Sequence, residues 1–366
     1  MKKKQKLSKV ILSAGGTGGH LFPAIAIGET LSETKKILPI LITDKRCKKY
    51  LPDNFAMTHQ IIDLHLKFKN IVAKINGFFQ ILRAFFSSLI FLYKEKPKLV
   101  VGFGGYPSLP TLLSAAVLRI PILIHEQNAY MGRVNMLFAG IALHIITPRK
   151  NILNINSSLK KKCIFTGRII RKSLKNSVGE YNSQKIPFHL FVVGGSQGAE
   201  FFDKLIPDTI EILLKTNPDL KIKITQQVSR NNKKSIKNTY DKIQVESELS
   251  NFFTNIEEIY SSAQLVICRS GASTIDEITH NNLPAIFIPY PHAKDDHQFF
   301  NAKEIADNSC GWCYRQEEIS PQILAKHIKK LITSPKILDN VSLNIKNNNQ
   351  DTNIRHLTDT ILNIIS

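Results

Sequence analysis

Residues 10–20 read Val10-Ile-Leu-Ser-Ala-Gly-Gly-Thr-Gly-Gly-His20, and they decide the class of fold. A short apolar run from Val10 to Ala14 ends in four glycines within five residues, and a helical run from about Phe22 to Glu33 follows. Strand, glycine loop and helix in that order open a βαβ unit. Glycines at such a junction let backbone N–H groups approach a phosphate, and the helix amino terminus adds partial positive charge. A tight turn alone needs fewer glycines.

The same rhythm continues along the chain. Further strands are predicted at Ile37–Thr43, Leu99–Phe103, Ile122–His125, His144–Thr147 and Cys163–Gly167. A polar stretch rich in lysine and asparagine, Arg171–Lys185, interrupts it. The pattern restarts at His189–Val193 with a second glycine loop, Gly194-Gly-Ser-Gln-Gly198, and further strands at Lys221–Thr225, Leu265–Cys268 and Ala285–Pro289. Such alternation means parallel sheets covered by helices on both faces. The restart predicts two Rossmann-like α/β domains, and ligands of open α/β sheets gather at strand carboxyl ends, so a cleft between the halves is expected.

Composition narrows the function. The 366 residues are 43% hydrophobic and 21% charged, as in an ordinary folded protein, which excludes disordered and collagen-like readings. A net charge of +20 calls for an anionic partner: nucleic acid, an acidic membrane or a phosphorylated ligand. Zinc-ligand spacing, an RNP-type aromatic motif and a basic recognition helix are all missing from the sequence, so nucleic acid is not expected. Five cysteines spread over this length argue for a reducing compartment. Cys310-Gly-Trp-Cys313 resembles a redox motif, but Trp312 to Tyr314 read as a short strand after a helix, the wrong context for one. Behind the lysine-rich start the apolar run Val10–Leu12 is too short for a cleavable signal, which predicts a cytoplasmic protein. Phe68–Tyr93 is rich in Ile, Leu and Phe but interrupted by Lys74, Gln80 and Arg83, so a spanning helix is not expected. It reads either as a buried helix pair or as a helix lying on an anionic membrane.

The loops carry the chemistry. A dinucleotide fingerprint needs G-x-G-x-x-G, and after Gly16 and Gly18 the third position is Leu21. Asp44, ending the next strand, could still play the ribose-binding acid of a nicotinamide-dependent oxidoreductase. Gly102-Phe-Gly-Gly-Tyr-Pro107 and His125-Glu-Gln-Asn128 complete one half; Gly194–Ala199 and Arg269–Glu277 repeat the idea in the other. Together they suit a diphosphate and a sugar.

These motifs, with Cys268–Glu277 and Pro289–Asn301, closely resemble those of the MurG family over nearly the whole chain, in order and spacing. Those enzymes are the peripheral-membrane N-acetylglucosaminyltransferases of bacterial peptidoglycan synthesis. The resemblance implies a GT-B fold, two Rossmann-like domains facing each other across a cleft. It implies an inverting transfer of N-acetylglucosamine (GlcNAc) from UDP-GlcNAc to the undecaprenyl-linked acceptor lipid I, giving lipid II. Residues 1–166 become an acceptor- and membrane-binding domain, 167–340 a UDP-GlcNAc-binding domain, and 341–366 a helical segment returning to the first. The expected setting is the cytoplasmic face of the bacterial inner membrane, with an anionic membrane surface and proteins of cell-wall synthesis or division as partners.

Carried over by position, Thr17, Gly18 and Gly19 lie on the acceptor side of the cleft, within the donor-binding set, and Asn128 reaches the donor sugar. Arg171 and Ser196 match residues near the nucleotide. Phe253 stands where the family has an aliphatic residue whose backbone reads uracil. Ala272, Ser273 and Thr274 lie beside the diphosphate, Glu277 binds the ribose diol, and Gln298 and Asn301 bind GlcNAc. Gly15, Gly16, Gly104, Gly105 and Tyr106 serve the acceptor. Asp295 and Asp296 are adjacent rather than spaced as D-x-D, so neither a protein-bound metal nor another cofactor is expected. Two groups compete as catalytic base. His20 opens a helix, where the dipole disfavours the protonated ring, and a histidine pKa near 6.5 suits base work. Glu126, beside Asn128, is the rival. A glycolipid glycosyltransferase or a UDP-GlcNAc epimerase would share this fold.

Overall fold

The structure, a computed structural model, describes residues 7–51, 55–64, 70–170, 174, 180–348 and 354–365. Its contacts divide the chain into two compact units, Met1–Arg171 with Asp351–Ser366, and Lys172–Gln350. The first unit runs β1 (Ser8–Ser13), α1 (Gly18–Glu33), β2 (Ile37–Asp44), β3 (His59–Ile62), α2 (Ile71–Glu95), β4 (Leu99–Gly102), α3 (Leu109–Val117), β5 (Ile122–His125), α4 (Arg133–Ala139), β6 (His144–Thr147), α5 (Ser157–Lys160) and β7 (Cys163–Phe165). The second runs β8 (Phe188–Val193), α6 (Gly195–Thr216), β9 (Ile222–Gln227), α7 (Lys233–Lys242), β10 (Glu246–Ser250), α8 (Ile256–Ser262), β11 (Leu265–Cys268), α9 (Ala272–His280), β12 (Ala285–Phe287), α10 (His297–Asp307), β13 (Trp312–Cys313), α11 (Pro321–Thr333) and α12 (Pro335–Asn348). Helix α13 (Ile354–Ile365) closes the chain, with Leu357 and Ile361 buried among Leu21 and Ile27 of α1.

Both sheets are parallel. The first has strand order β3-β2-β1-β4-β5-β6-β7, the second β10-β9-β8-β11-β12-β13. Order therefore reverses between β1 and β4 and between β8 and β11, the positions where open sheets bind ligands. Strand β1 shows why these runs are continuous in apolar residues: Val10, Ile11 and Leu12 are wholly buried because helices cover both faces. Pro39 is tolerated within β2 because β3 pairs only from Leu41 onward.

Two strands escape the sequence pattern, β3 and β10. Each is a sheet edge, and the polar Glu246–Ser250 run lacks the apolar signal of a doubly covered strand. Helix α1 begins at Gly18 rather than near Phe22, since its first turn is built from glycines that read as loop. Trp312–Cys313 is a strand after α10, as its sequence implies, and burial pushes the Cys313 thiol up to about 11, far from a reactive thiolate.

Helix α2 is one continuous helix rather than a pair; Phe68 and Lys69 lie outside the described residues. Lys74–Glu95 is long and apolar enough to cross a membrane by length and composition. However, it is the crossover between β3 and β4, and its Ala84 and Leu92 are buried with Ile11, Ile40 and Val100 of the sheet. Its other face exposes Ile75, Phe78, Phe79, Leu82, Phe86, Ile90 and Tyr93, with exposed Lys74, Arg83 and Lys94 alongside.

Candidate active site

In the first unit the loops after β1 and β4 lie against each other at the strand-order reversal. A Cβ on Gly15 would meet Pro107 at 2.7 Å, and one on Gly105 would meet the Gly15 carbonyl at 2.7 Å, so this approach demands glycine at both positions. Gly16 and Gly104 have φ of +90° and +88°. A Cβ on Gly19 would meet only Thr17 Oγ1, at an ordinary contact distance of 3.6 Å, so no packing reason requires a glycine there. Asp44 is fully buried; it accepts from the Gly16 N–H at 3.3 Å and from Arg46 Nε at 2.8 Å. A carboxylate so engaged pins the glycine loop and is not presented to a ribose. Arg46 in turn lies over the Tyr106 ring, 4.7 Å from its centroid.

His20, in the first turn of α1, contacts the Phe103 carbonyl through Nδ1 at 2.8 Å. A carbonyl can only accept, so Nδ1 carries the hydrogen and Nε2 is the basic nitrogen. Gln127 Nε2 also lies against Nδ1, a contact that becomes a hydrogen bond when the Gln127 amide is turned to present its oxygen. His125 stacks on Phe103 and is held near pKa 3 by burial.

Glu126 is arranged differently. It is 1% exposed, and both oxygens are occupied. Oε1 accepts from the Asn128 N–H at 3.0 Å and Asn128 Nδ2 at 3.1 Å; Oε2 accepts from the Gly132 N–H at 2.9 Å and Asn135 Nδ2 at 2.8 Å. Burial raises its pKa, while these four donors pull it down. This carboxylate organises the turn that carries Asn128.

In the second unit the loops after β8 and β11 lead into α6 and α9, whose amino termini flank the other strand-order reversal. Ser196 is in the first turn of α6, Ala272, Ser273 and Thr274 in the first turn of α9, and Glu277 one turn further. The Tyr260 hydroxyl donates to Glu277 Oε2 at 3.1 Å. Phe253 packs edge-on against Phe191, 6.0 Å between ring centroids, and Phe191 packs on Tyr260 at 5.8 Å, so the bulkier ring has a seat. Gln298 and Asn301 sit on α10: Gln298 Oε1 accepts the Tyr290 N–H at 3.0 Å, and the buried Asn301 donates through Nδ2 to the Ser270 carbonyl at 3.3 Å. Asp296 is paired with Arg315 at 2.7 Å. Among the described residues no group of three His, Cys, Asp or Glu could hold a metal ion. Arg171 and the Ser196 side chain lie outside the described residues.

Among the described residues, the first-unit candidates lie on the loops after β1, β4 and β5, and the second-unit candidates after β10, at the start of α9 and on α10. Sequence reasoning missed Asn135 and Tyr260, which lie outside the motifs, and gave no role to the side chains of Gln127 and Arg269, which lie inside them; only the fold brings these four to their partners.

Residues 10–147 match the glycosyltransferase family 28 N-terminal domain, and residues 189–357 match the glycosyltransferase family 28 C-terminal domain. A UDP-N-acetylglucosamine–N-acetylmuramyl-(pentapeptide) pyrophosphoryl-undecaprenol N-acetylglucosamine transferase of Rickettsia bellii is 44% identical over 343 residues, 93% of this chain and 95% of the relative. The crystal structure of Acinetobacter baumannii MurG superimposes with a TM-score of 0.78 at 26% identity, over 97% of this chain and 99% of that one. A UDP-GlcNAc 2-epimerase from Neisseria meningitidis, bound to UDP-GlcNAc, shares the fold with a TM-score of 0.65 at 13% identity, over 98% and 99% of the two chains. Two parallel sheets in two Rossmann-like units and matches along most of its length agree: the chain belongs to the MurG family of N-acetylglucosaminyltransferases, within glycosyltransferase family 28.

Proposed function

We propose that this protein transfers GlcNAc from UDP-GlcNAc to undecaprenyl-pyrophosphoryl-MurNAc-pentapeptide, forming lipid II. The observation that carries the reading is the 44% identity to the Rickettsia bellii transferase across nearly the whole chain, joined to the close-packed glycine loops of the first unit. The first unit takes the acceptor on the Gly15–Gly16 and Gly104–Tyr106 loops, and the second takes the donor.

His20 acts as the base. Its Nδ1–H donates to the Phe103 carbonyl, which makes Nε2 the basic nitrogen that takes the proton as the acceptor hydroxyl attacks the anomeric carbon. Glu126, its carboxylate already satisfied, positions Asn128 for the donor sugar. Glu277 accepts from the ribose diol while Tyr260 holds its other side, and the amino termini of α6 and α9 with Arg171 stabilise the charge that builds on the departing UDP. Inversion follows from a single in-line displacement.

The exposed aromatic face of α2, bordered by Lys74, Arg83 and Lys94, suits the headgroup boundary of an anionic leaflet. A net charge of +20 supports the same setting, the cytoplasmic face of the inner membrane. The test is acceptor-dependent UDP release from UDP-GlcNAc and a lipid I analogue. His20→Ala is expected to cut that turnover by ~10²–10⁴ with donor affinity retained. Release of UDP without acceptor, or turnover to an epimer, would overturn the transferase reading.

A further inference from the structure

Arg269 leaves β11 at the strand-order reversal of the second sheet, yet its side chain turns inward and is 6% exposed. One guanidinium nitrogen, Nη1, donates to the carbonyls of Ile288 and Pro289, both at 3.0 Å; Nη2 donates to Gln316 Oε1 at 2.8 Å. The rings of Phe201, Phe202 and Tyr290 lie 5.0, 5.0 and 5.5 Å from its centre, and Nε has no acceptor. Neutral partners repay the desolvation of a cation poorly, and burial lowers the Arg269 pKa to about 10. A hydrophobic residue would serve packing better, so the fork geometry is what the position gains.

That fork holds the exit of β12. Ile288 and Pro289 are the last residues before the segment that delivers Gln298 and Asn301. Tyr290, stacked on the guanidinium, donates its N–H to Gln298 Oε1, which commits the amide oxygen and leaves the NH2 group as the donor for a ligand. Asn301 ties back to the carbonyl of Ser270, the residue next to Arg269. The Arg269–Ser270 pair therefore holds the Gln298 amide through Tyr290 and the wholly buried Asn301 directly.

We propose that Arg269 is a positioning residue for the donor's GlcNAc moiety: it fixes the Ile288–Tyr290 backbone so that Gln298 meets the sugar hydroxyls, while the wholly buried Asn301 braces the same helix from behind. The proposal rests on the reading of the second unit as the UDP-GlcNAc site. Its signature is selectivity for the sugar over the nucleotide, because the fork touches the sugar-bearing segment and not the α8–α9 surface with Tyr260 and Glu277.

The test uses the full-length protein with Arg269→Lys, which keeps charge but loses the fork, and Gln316→Leu, a half-buried site where folding should survive. Arg269→Lys should raise KM for UDP-GlcNAc about tenfold, as the loss of a charge-assisted bond implies, with kcat and the inhibition constant of UDP within about twofold. Relative turnover of the 4-epimeric donor UDP-GalNAc should rise. Gln316→Leu should move the same quantities in the same direction by about threefold. Equal weakening of UDP and UDP-GlcNAc, or unchanged KM in both folded variants, would overturn the proposal. Should Arg269→Lys fail to fold, Gln316→Leu alone decides. A wild-type protein that binds no UDP-GlcNAc would overturn the donor-site reading, and this inference with it.

Discussion

Glu126→Gln separates a base from a scaffold. The carboxylate accepts four hydrogen bonds from Asn128, Gly132 and Asn135 at 2.8–3.1 Å, in a site that is 1% exposed. Glutamine keeps the shape but exchanges one oxygen for an NH2 group, which then faces two N–H donors in either orientation. Asn135 can turn its amide to relieve one clash, at the cost of its bond to the His125 carbonyl; the backbone N–H of Gly132 or Asn128 cannot turn. At roughly 1–3 kcal/mol for each donor left buried and unpaired, the variant should lose about 2–5 kcal/mol. For a unit of this size that corresponds to a melting temperature lower by roughly 5–15 °C. The assay is thermal melting beside steady-state turnover measured well below the new transition. A base role predicts the opposite pair: a wild-type melting curve with turnover down by ~10²–10⁴. That result would refute the scaffold role and take the base assignment from His20.

Glu277→Ala should raise KM for UDP-GlcNAc with kcat nearly retained, because the ribose diol loses charge-assisted hydrogen bonds worth roughly 1.5–3 kcal/mol each; unchanged kinetics in a folded variant would refute the role. Phe78→Ser with Phe79→Ser should weaken binding to anionic vesicles with the melting temperature unchanged, whereas Leu92→Ala, on the buried face of the same helix, should cost about 2–5 kcal/mol and leave vesicle binding alone. His189, buried beside Thr225, is held near pKa 4 chiefly by desolvation. A depressed histidine pKa contributes stability that is present above the unfolded value and lost as pH falls from about 6.5 to 4, up to roughly 3 kcal/mol. Acid titration of the melting temperature should therefore be shallower in His189→Gln over that window.

The alternation of short apolar runs with helices was enough to read two parallel α/β units, because a strand covered on both faces must be apolar throughout, as Val10 to Leu12 and Leu265 to Cys268 are. The glycine loops were legible for a similar reason: strand, glycines and helix follow one another in the chain, so their function is local. Edge strands such as Glu246–Ser250 were not legible, since one neighbour and open solvent impose no apolar pattern. Helix α2 was ambiguous in sequence because both of its faces carry large apolar side chains, and only the sheet beneath Ala84 and Leu92 distinguishes the buried face from the exposed one.

The roles of polar residues needed the tertiary structure most. Asp44 and Glu126 both stand at strand carboxyl ends and look alike in sequence as candidate acids. What separates them from chemistry is the set of donors that arrives from elsewhere: Gly16 and Arg46 for one, Asn128, Gly132 and Asn135 for the other. His20 depends equally on distance along the chain, since its tautomer is set by the Phe103 carbonyl, 83 residues away. A sequence shows which groups can ionise or donate. Which of them still have a lone pair or a hydrogen to spare depends on neighbours that only folding supplies.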